Sequence, residues 1–282
     1  MSNNTSLQVL IFITIYFYML TQNSSKTICS VIFLLIYTVL KAPVFAEDLV
    51  SLTKRVTAST VAIALHSPIK SNAPSIKGTG FVVHDGHYVV TNYHVVEQEL
   101  DPTIVEYYVA MLPTDGGFSF QKLQLMEIDI EHDLALFATS EAMSPLVLAD
   151  EELQPAGTDI AIFGYPLGAA LGLYPAVHRG IIAALTPDFM PANDARALTS
   201  NQLRRLKNPE LIYQLDITAF PGNSGSPVVN QKTGEIIAVI NKVYVRDGKE
   251  SALTNPSGIS YAIPVKHVIA LLNRALSKVE SN

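Results

Sequence analysis

Short apolar runs with a two-residue period, broken by turns rich in Gly, Asp and Asn, organise this chain. Residues 47–59 have the spacing of a short amphipathic helix and lead into an apolar strand at 61–65. Runs at 80–83 and 88–91 flank Asp85-Gly86, a strong hairpin signal. Between Met126 and Leu136 the apolar residues stand at 126, 128, 130, 134 and 136, which predicts one alternating strand. Glu127, Asp129 and Glu131 then form its solvated face. Leu211, Tyr213, Leu215 and Ile217 repeat the alternation, and 235–240 is an apolar strand after the Lys232-Thr233-Gly234 turn. The period changes only at the end. Val265, Val268, Ile269, Leu272 and Leu276 have helical spacing, with Pro264 suited to the first turn. These elements predict an all-β fold of two antiparallel β-barrels, with a short N-terminal helix, a C-terminal helix and a joint near 150–155.

The N-terminus changes the picture of where the chain works. Lys26 precedes the apolar run 28–40, followed by Lys41-Ala42-Pro43-Val44-Phe45-Ala46 and then Glu47-Asp48. A basic residue, an apolar stretch and small residues at −3 and −1 are the parts of a secretory signal peptide cleaved after Ala46. Such a chain is exported, to the periplasm or beyond. A second apolar run at 7–20 lacks a preceding basic residue and is shorter than the roughly 20 residues of a comfortable span. Met19 begins a well-proportioned signal peptide by itself, so the first 18 residues are a candidate misassigned start. The alternative is an uncleaved membrane anchor over 1–46. The remainder divides as 47–152 and 153–282, one barrel each. It carries 17 basic and 25 acidic side chains, a net −8, which argues against nucleic acid or an anionic membrane as main partner. The only cysteine, Cys29, lies in the leader, so the mature chain has no disulfide.

Three segments carry chemistry. In Gly222-Asn223-Ser224-Gly225-Ser226-Pro227 the glycines let the backbone adopt positive φ and approach a substrate closely around a serine hydroxyl. The same residue types also make an ordinary polar turn. The run Tyr88-Val89-Val90-Thr91-Asn92-Tyr93-His94 delivers a histidine at the end of an apolar strand. In Glu131-His132-Asp133-Leu134-Ala135-Leu136 an aspartate opens another. The order His94, Asp133, Ser224 is that of the chymotrypsin arrangement and excludes the subtilisin and α/β-hydrolase orders.

With these pieces in place, the chain resembles the trypsin-like serine proteases, most of all the HtrA/Deg branch. The matching segments are Gly78-Thr79-Gly80-Phe81-Val82-Val83, Thr91-Asn92-Tyr93-His94 and Asp133-Leu134-Ala135-Leu136. Phe163-Gly164-Tyr165-Pro166-Leu167-Gly168, Pro221-Gly222-Asn223-Ser224-Gly225 and Gly258-Ile259-Ser260-Tyr261-Ala262-Ile263-Pro264 complete the set. The similarity runs from about 48 to 276 in the family's order. Ser226 departs from it, standing where the branch usually has a second glycine. The chain also ends soon after the protease region, with no room for the branch's peptide-binding PDZ domain.

The resemblance implies a serine endopeptidase that hydrolyses unfolded or damaged envelope proteins. His94 acts as general base, Asp133 fixes its tautomer, and Ser224 is the nucleophile. The N–H groups of Gly222 and Ser224 form the oxyanion hole. Thr218 lies at the base of the substrate pocket, with Ile240, Asn241 and Val243 along one wall. Acyl transfer of this kind needs no metal or organic cofactor. The partners implied are polypeptide substrates, with a homo-oligomer left open. A chaperone-like or peptide-binding module of the same fold, with little hydrolysis, is the alternative. The remaining histidines read as structural: His84 and His87 straddle the Asp85-Gly86 turn, and His132 adjoins Asp133 on the opposite face of a strand. His66, His178 and His267 carry no motif. The segment 187–210, with Arg196, Arg204, Arg205 and Lys207, is longer than a simple connection and stands where related enzymes carry an activation-sensing loop.

Overall fold

In a computed structural model, residues 48–71, 73–101, 103–114, 117–166, 173–188, 209–243 and 258–280 are described, with backbone alone at 242, 243 and 280. They belong to one unit, Ala46–Asn282. The signal-peptide segment, Leu167 and Gly168 of the matching motif, and 189–208 with its four basic residues lie outside the described residues.

Helix α1 (Leu49–Thr57) starts where the Asp48 carboxylate accepts from the Val50 and Ser51 N–H groups at 2.8 and 3.2 Å. A capping carboxylate of this kind satisfies donors that the first helical turn leaves orphaned. Leu52 and Val56, one turn apart, are its buried stripe. Seven strands follow: β1 (Thr60–His66), β2 (Ser75–Val83), β3 (Tyr88–Thr91), β4 (Tyr107–Thr114), β5 (Gly117–Lys122), β6 (Gln124–Asp129) and β7 (Leu134–Ala138). A single turn of helix, α2 (Tyr93–Val96), separates β3 from β4. The seven strands form one antiparallel sheet in the order β5-β4-β1-β2-β3-β7-β6.

Six more strands are β8 (Asp159–Gly164), β9 (Ala176–Pro187), β10 (Leu211–Asp216), β11 (Pro227–Asn230), β12 (Ile236–Val243) and β13 (Ile259–Pro264). They close a barrel in the order β10-β13-β12-β11-β8-β9, and helix α3 (Val265–Glu280) ends the described chain. The architecture is thus the all-β, antiparallel class expected, with a helix at each end. Among the described strands one sheet closes fully, while the other keeps β5 and β6 as edges.

One core runs through both sheets. Phe81, Val83, Val90, Leu134 and Leu136 of the first sheet share a buried cluster with Ile162, Phe163, Leu215, Val228 and Val239 of the barrel. Leu52 and Val56 of α1 and Val268, Leu271 and Leu272 of α3 seal its ends. The first sheet has a second, separate cluster on its other side, built from Val61, Ile63, Val82, Val89 and Phe137.

The single strand expected over 126–136 is in fact a tight hairpin. The chain leaves β6 at Asp129, and Asp133 takes up φ 53° before β7 begins. Few residues other than glycine tolerate that left-handed region, and Asp is among those that do. The alternating pattern continued across the turn only because Ile130 happens to be apolar; its side chain is exposed. The solvated acidic face is also corrected. Glu127 and Asp129 side chains are 13% and 11% exposed, because Lys278 and Arg274 of α3 pair with them, Arg274 at 3.0 Å. Only Glu131 of the three is exposed.

These two kinds of contact differ in weight. Leu136→Ala should lower stability by about 2–5 kcal/mol in guanidinium unfolding, since it empties a fully buried site in the shared core. Arg274→Ala, losing a half-exposed ion pair, should cost less than about 1 kcal/mol in the same measurement.

Candidate active site

Asp133 is the fixed point of the histidine side of the site. Its carboxylate accepts from the His94 backbone N–H at 2.9 Å with one oxygen and lies 2.6 Å from His94 Nδ1 with the other. Its carbonyl accepts from the Tyr93 N–H and from the Asn92 side-chain amide, both at 3.0 Å. Four contacts therefore join a left-handed turn residue to the segment 92–94. A backbone conformation of that kind costs on the order of 1–3 kcal/mol and persists only when its surroundings over-determine it. Short β3, ending at Thr91, delivers His94 on the one-turn helix α2, with the imidazole partly exposed.

The serine loop is built from two consecutive turns of the same kind. Asn223 N–H donates to the Phe220 carbonyl at 3.0 Å, spanning Pro221 and Gly222, whose φ is 99°. Ser226 N–H then donates to the Asn223 carbonyl at 2.9 Å, spanning Ser224 and Gly225, whose φ is 84°. Positive φ at the third position, met here by glycine, is the requirement of a type II turn, and proline at the second position of the first turn suits it. Each glycine is needed where it stands, and Ser224 is placed at the second position of the second turn. Within the described residues, neither Gly222 N–H nor Ser224 N–H donates to another backbone group.

Thr79, on β2, locks this loop in place. Its N–H donates to the Ser224 carbonyl at 2.8 Å, and its hydroxyl donates to the Gly222 carbonyl at 2.7 Å. The same hydroxyl accepts the Tyr165 N–H at 3.0 Å, and the Thr79 carbonyl accepts the Thr91 hydroxyl at 2.7 Å. Thr79 is fully buried. Its role was not legible from sequence, because Gly78-Thr79-Gly80 reads locally as ordinary strand. Gly78 is confined between the two halves of the site: a Cβ there would lie 2.7 Å from Val95, next to His94, and 3.0 Å from the Ser224 carbonyl. Gly225 is confined too, since a Cβ would overlap the Thr79 carbonyl. Ser226, the departure from the family pattern, turns its hydroxyl into the space over Gly164 where a side chain would otherwise sit.

The Ser224 hydroxyl makes a long 3.5 Å contact to the Asn241 carbonyl, and no hydrogen bond joins it to His94 among the described residues. Asn241 is the extra residue of a bulge in β12, between Ile240, paired with Ala262, and Lys242, paired with Tyr261. Such bulges re-aim the strand locally. Of the expected pocket residues, Thr218 and Asn241 are half-buried, and Ile240 is fully buried within the shared core. The Val243 side chain lies outside the described residues. His178, which carried no motif, packs its ring 5.9 Å from Phe220, at the start of the serine loop. Burial holds its pKa below the usual histidine value.

A cleft of about 520 Å³ opens beside Asp133, lined among others by His132, Asp188, Glu210, Asn241 and His267. His132 lies in the hairpin turn before Asp133 rather than on a strand, so the opposite-face argument does not apply to it. Burial lowers the His267 pKa to about 4, with His132 adding to the effect. Burial raises the Glu210 carboxyl, but His267, Lys266 and His132 outweigh it and hold the group below its ordinary value.

Comparison with known proteins shows the family of the chain. Residues 78–239, more than half of the chain, match the family described as trypsin-like peptidase domain. A probable periplasmic serine endoprotease, DegP-like, from Halomonas elongata is 30% identical over 193 residues, covering 67% of this chain and 32% of the relative. Serine protease HTRA1 from Xenopus laevis is 27% identical over 199 residues, covering 69% of this chain and 35% of its own. The chain spans about a third of the length of the curated relatives it matches. Among solved structures, the HtrA-type protease AlgW with a tripeptide aligns with a TM-score of 0.57 at 21% identity, over 80% of this chain and 63% of its own. Deg5 aligns with a TM-score of 0.54 at 20% identity, over 78% and 90%. The chain belongs to the trypsin-like peptidases and, within them, is of the HtrA type.

Proposed function

We propose that this protein is an exported serine endopeptidase acting on unfolded or damaged polypeptides through His94, Asp133 and Ser224. The observation that carries the reading is the two-point hold of the Asp133 carboxylate on His94, through the backbone N–H and ring Nδ1. With Nδ1–H engaged by the carboxylate, Nε2 is the free base for the Ser224 hydroxyl proton. The charge that develops on the ring is met by the same carboxylate. Attack by Ser224 Oγ on the scissile carbonyl forms the tetrahedral intermediate, whose oxyanion is received by the Gly222 and Ser224 N–H groups. His94 then returns the proton to the leaving amine, and water hydrolyses the acyl-enzyme by the same steps. The long Ser224 contact in the free site fits a hydroxyl that tightens onto its base only when substrate is bound. Export rests on the signal-peptide reading of 1–46, and the DegP-like relatives named periplasmic support it.

Specificity follows from what the pocket lacks. Thr218 at its base supplies no counter-charge, so an Arg or Lys at P1 would be buried unpaired. By sequence, position 243 carries valine where many relatives have glycine, and this favours Val, Ala or Ile. The neighbouring Lys242 is the one cationic residue of this segment that would suit an acidic P1. Selectivity among aliphatic residues is loose, because one methylene discriminates by only about 1–3 kcal/mol.

Alanine at Ser224, His94 or Asp133 should each remove most casein hydrolysis without unfolding the chain, and double variants should be little worse than the worst single. A fluorophosphonate probe should label the parent and not Ser224→Ala; full activity in that variant overturns the assignment. Thr79→Val leaves the Gly222 carbonyl and Tyr165 N–H unpaired, at about 1–3 kcal/mol for each buried group. It should slow turnover by an order of magnitude or more in casein assays while KM changes little. Mass spectrometry of casein digests should find cleavage after Val, Ala or Ile. Cleavage chiefly after Arg, Lys or Phe contradicts the pocket, and cleavage after Glu assigns Lys242 to it.

A further inference from the structure

We propose that His132, Glu210 and His267 form a site for one divalent transition-metal ion, with zinc the favoured occupant. Three separate elements bring them together: the hairpin turn before β7, the residue preceding β10, and the first turn of α3. Glu210 Oε2 lies 3.1 Å from His132 Nε2 and 3.1 Å from His267 Nε2. All three ligand atoms fall within 4.8 Å of one another. Zinc binds imidazole nitrogen and carboxylate oxygen at about 2.0–2.2 Å with tetrahedral geometry, which sets ligand atoms about 3.3–3.6 Å apart. The two nitrogen–oxygen separations are within a few tenths of an ångström of that edge. Two imidazoles and one carboxylate are a borderline donor set that suits zinc over calcium or magnesium, whose ligands are oxygen throughout.

The surroundings fit a metal ligand set better than a plain surface cluster. His267 is nearly buried, and the group lines the cleft beside Asp133, which leaves room for water in a fourth position. The Glu210 carbonyl accepts the Asp188 N–H at 2.9 Å, so its backbone is fixed at the foot of β10. Behind His132, Nδ1 lies 3.0 Å from Asp129 Oδ1, an approach bent away from the ring N–H direction, and Asp129 Oδ2 is held by Arg274 at 3.0 Å. A carboxylate behind a ligating imidazole is the usual outer-shell arrangement of zinc histidines. The two rings stack at 3.8 Å and 22° from parallel. Converging both Nε2 lone pairs on one ion requires the stacked rings to splay.

The site does not depend on the proteolytic reading, so the test is made in the full chain carrying Ser224→Ala, which also removes self-digestion. Chelator-stripped protein is titrated with zinc chloride by calorimetry and with cobalt(II) by visible absorption. The expected result is one zinc per chain and the intense visible bands of four-coordinate cobalt. Glu210→Gln, at an exposed position that tolerates the change, and His267→Gln should each weaken zinc binding at least about tenfold. Asp129→Asn should weaken it about 10–100-fold, as outer-shell carboxylates do. Circular dichroism checks that each variant is folded. Absence of stoichiometric zinc binding in the parent overturns the site, as does unchanged affinity in folded Glu210→Gln.

Discussion

The geometry of this site depends on one buried threonine. Thr79 belongs to the first sheet, yet it hydrogen-bonds both turns of the serine loop, the residue that follows β8, and the end of the strand that delivers the histidine. Its hydroxyl works in both directions, donating to Gly222 and accepting from Tyr165, so no hydrocarbon of the same shape can replace it. A hydrogen bond contributes only about 0.5–1.5 kcal/mol net, but one left unmade in a buried position costs more. The consequence is positional more than energetic. Ser224 and His94 come from different sheets, and the Thr79 contacts set how those sheets meet at the site.

Local strain on both sides is held by the same logic. Asp133 sits at positive φ and is fixed by Tyr93, Asn92 and the His94 N–H; the serine loop uses glycine at each positive φ and needs no such compensation. The contrast follows from chemistry. A carboxylate is required at 133, so the chain accepts the backbone cost there, whereas 222 and 225 contribute only backbone and can be glycine.

Much of this was legible in the sequence, and what was missed has physical causes. The strands around 61–65, 80–91 and 211–217 and both terminal helices follow from periodicity and turn chemistry, and the His94–Asp133 contact is what the family resemblance implies. The hairpin at 130–133 was hidden because Ile130 continued the alternation across a turn that contains neither Gly nor Pro. The acidic stripe of β6 looked solvated because its partners, Arg274 and Lys278, are nearly 150 residues away on a helix whose docking no local pattern encodes. His132, Glu210 and His267 lack any ligand spacing along the chain, and only the meeting of the β6–β7 hairpin, the start of β10 and α3 gathers them. Thr79 and the bulge at Asn241 are of the same kind: local identity is ordinary, and tertiary context assigns the role.

The serine at 226 depends on a distant glycine. Its hydroxyl and the Asn223 side-chain oxygen fill the volume above Gly164 that a side chain on β8 would need, a Cβ there overlapping the first and lying 2.7 Å from the second. Serine fits at 226 because position 164 is glycine, and alanine or larger at 164 would meet both atoms. The substitution that looks like a lapse in the serine motif is therefore tied to a residue some sixty positions earlier in the chain.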